Sequence, residues 1–252
     1  MSLILSNLNK AYGGLAVVRN VSIEAPAARL TGLIGPNGAG KTTLFSLVNG
    51  VQPLDSGKVS LHGKDLSGLP AYRRAQAGLG WTFQIPRPFS HLTVQENLCV
   101  AAMNQPGDSV VKALFGRTGT ASHERELRER ADGILEFLRL NRVRDQFARD
   151  LSGGQKKLME LGRVLMLEPT FILLDEPFAG VNPALIEELA QRIREVKDRG
   201  IGFLIIEHNI GALSRLVERM VVMDRGEIIG DGSPEIVLAD ERIRLAYMGG
   251  AA

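Results

Sequence analysis

Two short stretches of the sequence carry the residue types and spacing that phosphate chemistry needs. The first, GPNGAGKTT, follows the pattern of glycine, four residues, then Gly-Lys-Thr. Its glycines let successive backbone N–H groups turn toward a polyphosphate, which the Lys41 ammonium can reach, while the Thr42 hydroxyl is a natural Mg²⁺ ligand. A glycine-rich turn before a helix is the alternative, but the context between an expected strand and helix favours phosphate binding. The candidate phosphate-binding residues are Gly35, Pro36, Asn37, Gly38, Ala39, Gly40, Lys41, Thr42 and Thr43.

The second stretch, FILLDEP, places two carboxylates at the end of an apolar run. Asp175 can hold Mg²⁺ through water beside the phosphate loop, and Glu176 is then placed to polarise a water for in-line attack on a γ-phosphate. An ordinary acidic turn after a core strand would look similar. Because a phosphate loop lies upstream, we favour the catalytic interpretation.

A third stretch, LSGGQ, contains no base, nucleophile or metal ligand. Ser152 and Gln155 fit an S-x-x-Q capping box at the start of an amphipathic helix. The same helix start, with Gly153 and Gly154, leaves backbone N–H groups accessible at the positive end of a helix dipole, which suits an anion. The two interpretations are compatible, and a second phosphate-seeking surface in one chain suggests a shared nucleotide.

Composition limits the alternatives. The chain has 252 residues, enough for one large domain or a domain with a subdomain, and is 44% hydrophobic and 23% charged. Its 30 basic and 28 acidic residues create no field that points to nucleic acid. The single cysteine, Cys99, excludes an internal disulfide and a cysteine-cluster metal site. The first ten residues do not resemble a signal peptide, and no run approaches 18 apolar residues, so we expect any membrane role to depend on partners.

Three continuous apolar runs predict buried strands, at residues 30–34, 171–174 and 201–206. Short runs of this kind, bounded by turn signals, fit strands covered on both faces by helices, so a parallel sheet is expected.

Helical periodicity predicts helices at residues 124–140 and 183–199. The second begins Asn-Pro, which suits an N-cap and a first-turn proline, and stops at Gly200. Two apolar runs around Asp-Arg-Gly predict a hairpin at residues 220–230. Residues 104–122, rich in Gly, Ser and Thr, are expected to form a loop-rich insert.

The order GPNGAGKT, LSGGQ, ILLDEP resembles the ATP-binding cassette family over nearly the whole chain. The resemblance implies one α/β ATPase domain at residues 1–252, with a P-loop core made of a mixed RecA-like sheet and an N-terminal antiparallel β subdomain. That core would comprise residues 1–84 and 167–252, and an inserted helical subdomain residues 85–166. In this family two cassettes meet head to tail, so Ser152, Gly153, Gly154 and Gln155 would face the γ-phosphate of ATP held by a partner.

Three further residues acquire roles only through this resemblance. Tyr12 resembles the aromatic residue that stacks on adenine, although a strand-edge tyrosine would look the same. Gln84 resembles the glutamine that senses Mg²⁺ and the attacking water, and His208 resembles the switch histidine that contacts the γ-phosphate. Asn182 departs from the aspartate common in the family; it can still cap the following helix, but it lacks the charge.

The chain resembles the longer-insert ATPase subunit of branched-chain amino acid importers in its insert and in four short stretches, PFAGVNP, IIEHNI, TFQ and RLAYMGG. Lipopolysaccharide-export and urea- or amide-import ATPases share part of this resemblance. The resemblance implies ATP and Mg²⁺ as cofactors, and transmembrane permeases and a second ATPase subunit, identical or not, as partners. It also implies an indirect link to a periplasmic binding protein and a peripheral location on the cytoplasmic face of the inner membrane. The PRPF stretch at residues 86–89 is a candidate permease-docking surface or a packing element.

Two other functions fit less well. Cassette ATPases that act on DNA insert a long coiled coil before the LSGGQ-type helix, whereas this chain has no heptads there and no basic stripe, so no nucleic acid is expected. A nucleotide sensor that barely hydrolyses ATP would not need Asp175, Glu176 and His208 intact.

Overall fold

The computed structural model describes residues 2–82, 87–103 and 120–249; Gln84 and most of the predicted insert lie outside these ranges. The strands are β1 (Ser2–Tyr12), β2 (Leu15–Pro26), β3 (Leu30–Ile34), β4 (Ser56–Leu61), β5 (Lys64–Asp65), β6 (Leu79–Trp81), β7 (Phe171–Asp175), β8 (Gly202–Ile206), β9 (Arg219–Asp224) and β10 (Glu227–Gly232). The helices, numbered among the described residues, are α1 (Lys41–Val48), α2 (Ala71–Gln76), α3 (Val94–Ala101), α4 (Thr120–Phe137), α5 (Gly153–Leu165), α6 (Pro183–Asp198), α7 (Ile210–Ser214), α8 (Pro234–Ala239) and α9 (Glu241–Gly249).

A six-stranded sheet in the order β10-β9-β3-β8-β7-β6 forms the centre of the molecule. Its strands pair in parallel except for β10, which is antiparallel to β9. The three predicted strands are confirmed as β3, β7 and β8, and so is their parallel pairing. In β7, Phe171 and Leu173 join one hydrophobic cluster while Ile172 and Leu174 join the other. Because both faces are covered, the run is apolar throughout rather than alternating.

A second, four-stranded sheet in the order β2-β1-β4-β5 is antiparallel and packs over one face of the central sheet. The helix that follows the phosphate loop, α1, contributes Leu44 and Phe45 to the apolar layer between the two sheets, together with Leu5 of β1, Val21 of β2 and Leu204 of β8. The other face of the central sheet is covered by helices, with buried residues from α3 to α8 in one cluster.

Two predicted elements agree closely with the structure. The 183–199 helix is α6, with Asn182 as its N-cap: the Asn182 side chain accepts a hydrogen bond from the Leu185 N–H at 3.0 Å, as predicted. The predicted hairpin is β9–β10, whose turn places Arg225 at φ 45° and Gly226 at φ 87°. Two consecutive positive φ angles match the twist of an antiparallel pair, which explains the glycine there.

The predicted boundaries around α4 were wrong at both ends. Residues 120–122, expected to belong to the loop-rich insert, lie in the first turn of α4. Helix propagation costs little once an amphipathic segment has nucleated it, so polar composition did not stop the helix. At the other end α4 stops at Phe137, not at 140. Arg139 adopts φ 57°, and the Leu140 N–H bonds the Leu135 carbonyl at 2.8 Å, which is a Schellman-type C-terminus formed without glycine.

The C-terminal end of α1 is closed by a buried arginine. The Arg74 guanidinium donates to the carbonyl oxygens of Leu47 (2.8 Å) and Val48 (2.7 Å) in α1, and to those of Ser67 (2.9 Å) and Leu69 (2.8 Å) in the preceding loop. Helix C-termini leave carbonyl oxygens without intrahelical partners, so Arg74 satisfies acceptors that would otherwise be buried unpaired.

We predict that Arg74→Met lowers the free energy of unfolding by about 3 kcal/mol, because it leaves these buried carbonyl groups without hydrogen-bond donors. Urea unfolding followed by circular dichroism measures the change. Arg73→Met is the matched control, since Arg73 is the exposed neighbour on the same helix, and should change the free energy of unfolding by less than about 0.5 kcal/mol. Equal effects of the two substitutions would contradict the assignment.

Candidate active site

The phosphate-loop sequence joins β3 to α1 through a tight backbone turn. Gly40 is the N-cap of α1 at φ 99°, and a Cβ there would lie 2.6 Å from the carbonyl oxygen of Val17 in β2. Only glycine combines this left-handed conformation with so close an approach. Since Gly40 offers no side-chain cap to α1, the helix begins with uncapped N–H groups, which is typical of an anion-binding helix start.

One cleft of about 350 Å³ brings together several of the predicted site residues. Glu176 and His208, from the turns after β7 and β8, lie across it from the phosphate loop. The residues that line the cleft are Val17, Asn37, Gly38, Ala39, Gly40, Lys41, Thr42, Thr43, Glu176 and His208. Gly35 and Pro36 contribute from behind it: the Lys41 ammonium donates to their carbonyl oxygens at 2.7 Å and 3.0 Å.

Lys41 is buried between its own loop and two carboxylates. Burial lowers the pKa of its ammonium, and the nearby charges of Glu176 and Asp175 oppose that shift. A cation held among acceptors in this way is preorganised to meet negatively charged phosphate oxygens.

Asp175, at the end of β7, is a buried carboxylate whose hydrogen bonding is incomplete. Its Oδ1 atom has no hydrogen-bond partner among the described residues, and only 5% of the residue is exposed. Burial raises the pKa of Asp175 to about 6, and the neighbouring Glu176 charge contributes in the same direction. An unsatisfied carboxylate oxygen beside a phosphate loop fits a hard cation such as Mg²⁺, and the Thr42 hydroxyl is a second oxygen donor of suitable kind.

Glu176 is held by its backbone on both sides. Its N–H donates to the Ile206 carbonyl of β8 at 2.9 Å, and its own carbonyl accepts from the Lys157 ammonium of α5 at 2.9 Å. Its φ of 49° is left-handed, which is unfavourable for a residue with a side chain and is found at sites where the surroundings impose it. The Glu176 Oε1 atom lies 2.9 Å from Nε2 of His208. The structure therefore pairs the predicted base with the predicted switch histidine.

The LSGGQ residues do not line this cleft. Ser152 and Gln155 form the predicted capping box of α5: the Gln155 N–H donates to Ser152 Oγ at 3.3 Å, and the Ser152 N–H donates to Gln155 Oε1 at 2.9 Å. Gly154 packs against α6, where an added Cβ would lie 1.5 Å from Cδ2 of Leu185. Beyond its chain neighbours and its own helix, the nearest described atom to a Cβ added at Gly153 would be the Gly180 carbonyl oxygen at 3.9 Å.

The structure does not bring Tyr12 to the cleft, and it does not test the position of Gln84. Tyr12 lies at the exposed end of β1, where its ring is 5.5 Å from the Lys10 ammonium, and Val17 rather than Tyr12 lines the cleft on that side. Gln84 lies outside the described residues, so its expected contact with the attacking water and Mg²⁺ stays a prediction.

Sequence reasoning missed Glu207 and the contact of Lys157 with the Glu176 carbonyl. Glu207 is buried directly after β8 and accepts three backbone N–H groups around the cleft. A usable signal existed, because Glu207 directly follows a continuous apolar run, at the carboxyl end of a predicted buried strand, as Asp175 does. For Lys157 no local signal existed, since its contact depends on how α5 packs on the sheet.

Comparison with known proteins decides the family. The ABC transporter family model matches residues 18–179. The chain belongs to the ABC transporter ATPase family. A probable branched-chain amino acid transport ATP-binding protein, LivG of Archaeoglobus fulgidus, is 38% identical, with 96% of this chain and 93% of that protein covered. The lipopolysaccharide export system ATP-binding protein LptB of Haemophilus influenzae is also 38% identical, with 98% and 97% covered.

Solved structures of ABC cassettes agree. A cassette from an ABC transporter in its ADP conformation is 37% identical, covers 99% of both chains and has a TM-score of 0.86. A nucleotide-free ABC cassette is 38% identical, covers 98% of this chain and 99% of that one, and has the same TM-score. The predicted fold class, a mixed α/β core with an antiparallel β subdomain, is confirmed.

As an ABC ATPase, this chain is the ATP-hydrolysing subunit of a transporter and binds ATP or ADP. ABC ATPases of this kind work with transmembrane permeases. None of the helices in the described ranges is long and apolar enough to cross a bilayer.

We predict that Asp175→Asn stabilises the ABC ATPase fold at neutral pH while removing a cation ligand. The raised pKa means that the folded protein holds a proton at Asp175 at pH values where the unfolded chain has lost it. The free energy of unfolding therefore falls as pH rises from about 4 to about 6, and the cost persists above that window. In EDTA at pH 7.5 the variant should be more stable by on the order of 2 kcal/mol, with no difference below pH 4.

Urea unfolding between pH 4 and 8 measures this profile. The control is Asp150→Asn, an exposed carboxylate outside the cleft, which should change the free energy of unfolding little at any pH. A wild-type protein more stable than Asp175→Asn at pH 7.5 would show that the carboxylate is better compensated than its burial indicates.

Proposed function

We propose that the cleft between the phosphate loop and the Glu176–His208 pair is the site of ATP hydrolysis, and that its turnover drives a membrane permease. The observation that supports this is the 2.9 Å contact between Glu176 Oε1 and His208 Nε2, opposite the loop that carries Lys41. Mg²⁺, when bound, neutralises charge on the phosphate oxygens. Thr42 and Asp175 would hold it, with Gln84 as the third expected ligand.

Within that site we assign a separate role to each residue. Lys41 and the backbone N–H groups of residues 37–43 bind and orient the phosphates, so that the γ-phosphate faces Glu176. Glu176 accepts the proton of the attacking water, and His208 fixes the orientation of the Glu176 carboxylate and contacts the γ-phosphate. We assign Tyr12 to the adenine, because it stays exposed at the tip of the β1–β2 hairpin.

The LSGGQ segment completes the site of a second subunit in this proposal. Ser152, Gly153, Gly154 and Gln155 lie outside the cleft of their own chain, as expected if they close on ATP bound to a partner subunit. The nucleotide-binding core, residues 1–84 and 167–252, and the helical subdomain, residues 85–166, then move relative to each other during each cycle.

Glu176→Gln tests the assignment of the base. We expect ATP turnover to fall by a factor of about 10² to 10⁴, while ATP binding persists and an ATP-bound dimer accumulates on gel filtration. Glu168→Gln is the control and should retain full activity, because Glu168 is an exposed carboxylate in the turn before β7, at the opposite end of that strand from Glu176. Full ATPase activity of Glu176→Gln would show that another group is the base.

For the cargo, we propose uptake of branched-chain or related amino acids. Two observations support this cargo: the chain contains the stretches PFAGVNP, IIEHNI and RLAYMGG, and two LivG proteins are 38% and 39% identical to it. Lipopolysaccharide export is the second candidate, because LptB proteins match at 36% to 38% identity over 98% of the chain. The proposed location is the cytoplasmic face of the inner membrane, bound to permeases and beside a second ATPase subunit.

The proposed permease contact lies after Gln84. Within the PRPF stretch, Phe89 is 48% exposed, and the Arg163 guanidinium of α5 lies 5.4 Å from its ring, so a partner that covers Phe89 would also contact α5. Part of this stretch lies outside the described residues.

Affinity purification from native membranes in mild detergent, followed by mass spectrometry, separates the two cargo candidates. We expect two permeases, a sibling ATPase and a periplasmic amino-acid-binding protein. Recovery of lipopolysaccharide-export components instead would assign the chain to export. The control is Phe89→Asp, which should retain the fold but recover less of the permeases.

A further inference from the structure

Glu207 connects the two turns that carry the groups facing the phosphate loop. It follows β8 directly and is 3% exposed. One carboxylate oxygen, Oε1, accepts the N–H of Phe178 at 2.7 Å, in the turn after β7. The other, Oε2, accepts the N–H groups of His208 at 2.7 Å and Asn209 at 2.9 Å, in the turn after β8. A single side chain therefore spans both turns.

The position of this bridge matters because of what each turn carries. Phe178 lies two residues beyond Glu176, and His208 is adjacent to Glu207, so the bridge joins the same two turns that carry the Glu176–His208 contact of 2.9 Å. The Asn209 side chain in turn caps α7 by accepting the Ala212 N–H at 3.0 Å. The backbone of His208 is thereby fixed both to the turn after β7 and to the start of α7.

The chemistry of the bridge requires a carboxylate. All three partners are backbone N–H donors, so both side-chain oxygens must act as acceptors. A glutamine has one oxygen and one NH₂ group, and the NH₂ group would meet an N–H donor at one of the two turns. The buried Glu207 charge has an electrostatic partner in the Lys157 ammonium. Burial lowers the pKa of Lys157, and among the nearby carboxylates Glu207 opposes that shift most strongly.

We propose that Glu207 is a positioning residue for ATP hydrolysis, which holds the His208 imidazole against the Glu176 carboxylate by tying together the turns after β7 and β8. Glu207 lies behind the cleft and is not among the residues that line it. The proposal rests on the hydrolytic roles proposed for Glu176 and His208. It adds the residue that sets the distance between them.

The test is a double-mutant cycle on ATP hydrolysis by the full chain. We expect Glu207→Gln to lower kcat about 10- to 100-fold, because small displacements of catalytic groups cost this much, and to leave the KM for MgATP within about twofold, because the phosphate loop is not touched. In a His208→Ala background, where there is no imidazole left to position, Glu207→Gln should lower kcat by less than about twofold. A residue that only stabilises the fold would reduce kcat by the same factor in both backgrounds.

Two further variants keep the result interpretable. Glu218→Gln is the matched control: the Glu218 carboxylate also accepts a backbone N–H, that of Leu30 at 2.7 Å, but at the start of β3, and the variant should retain the wild-type kcat. Glu207→Asp keeps the charge on a side chain one methylene shorter. It should fold even where Glu207→Gln does not, and should lower kcat with an unchanged KM.

The outcomes separate this proposal from the function on which it rests. If His208→Ala or Glu176→Gln alone leaves kcat unchanged, the proposed site itself is wrong and the role of Glu207 falls with it. If those variants lose activity while Glu207→Gln and Glu207→Asp keep the wild-type kcat, or if the Glu207 and His208 losses multiply in full, only the positioning role is overturned.

Discussion

The structure depends on holding three carboxylates together at the ends of two adjacent strands, two of them buried and the third, Glu176, partly buried at the cleft. Asp175 is the last residue of β7, and Glu176 directly follows it. Glu207 directly follows β8, which pairs with β7 in parallel. Such charges are expensive to remove from water unless they are paired or hydrogen-bonded. Here the buried ammonium group of Lys41, the partly buried ammonium group of Lys157 and backbone N–H groups provide the compensation. The strand pairing, the phosphate loop and the packing of α5 are all needed to deliver these partners to one place.

This arrangement leaves Asp175 as the member of the group whose charge is least compensated. Glu207 has three N–H donors and Glu176 has the His208 imidazole, whereas Asp175 keeps a buried oxygen without a partner among the described residues. The fold thus tolerates a destabilised carboxylate at the position where we propose that a cation binds. A binding site whose ligand satisfies a destabilised group gains affinity from that relief.

The parts of the fold that could be predicted from sequence are those set by local pattern. The apolar runs of β3, β7 and β8 are continuous because both faces of the sheet are covered, and the phosphate loop is encoded by glycines that its own backbone requires. The Glu207 bridge could not be predicted in the same way, because its contact with Phe178 exists only once β7 and β8 pair in a register that places Asp175 opposite Ile206. The early end of α4 was missed for a different reason, since Arg139 takes a left-handed conformation that glycine usually occupies.

The two adjacent glycines of the LSGGQ segment have different surroundings. Substitutions at the two positions should therefore cause different defects, one in the folding of the subunit and the other in its contacts with a partner. Any side chain at Gly154 must displace Leu185 of α6 within the same subunit, so its effects would be felt before two subunits meet. Among the described residues beyond its chain neighbours and its own helix, a methyl group at Gly153 meets no atom closer than 3.9 Å, so we expect its effects to arise from a molecule that approaches this surface. In the head-to-tail dimer that we propose, mixed dimers in which only one subunit carries Gly153→Ala would therefore report on one of the two proposed interfacial sites at a time, whereas Gly154→Ala would weaken the subunit that carries it.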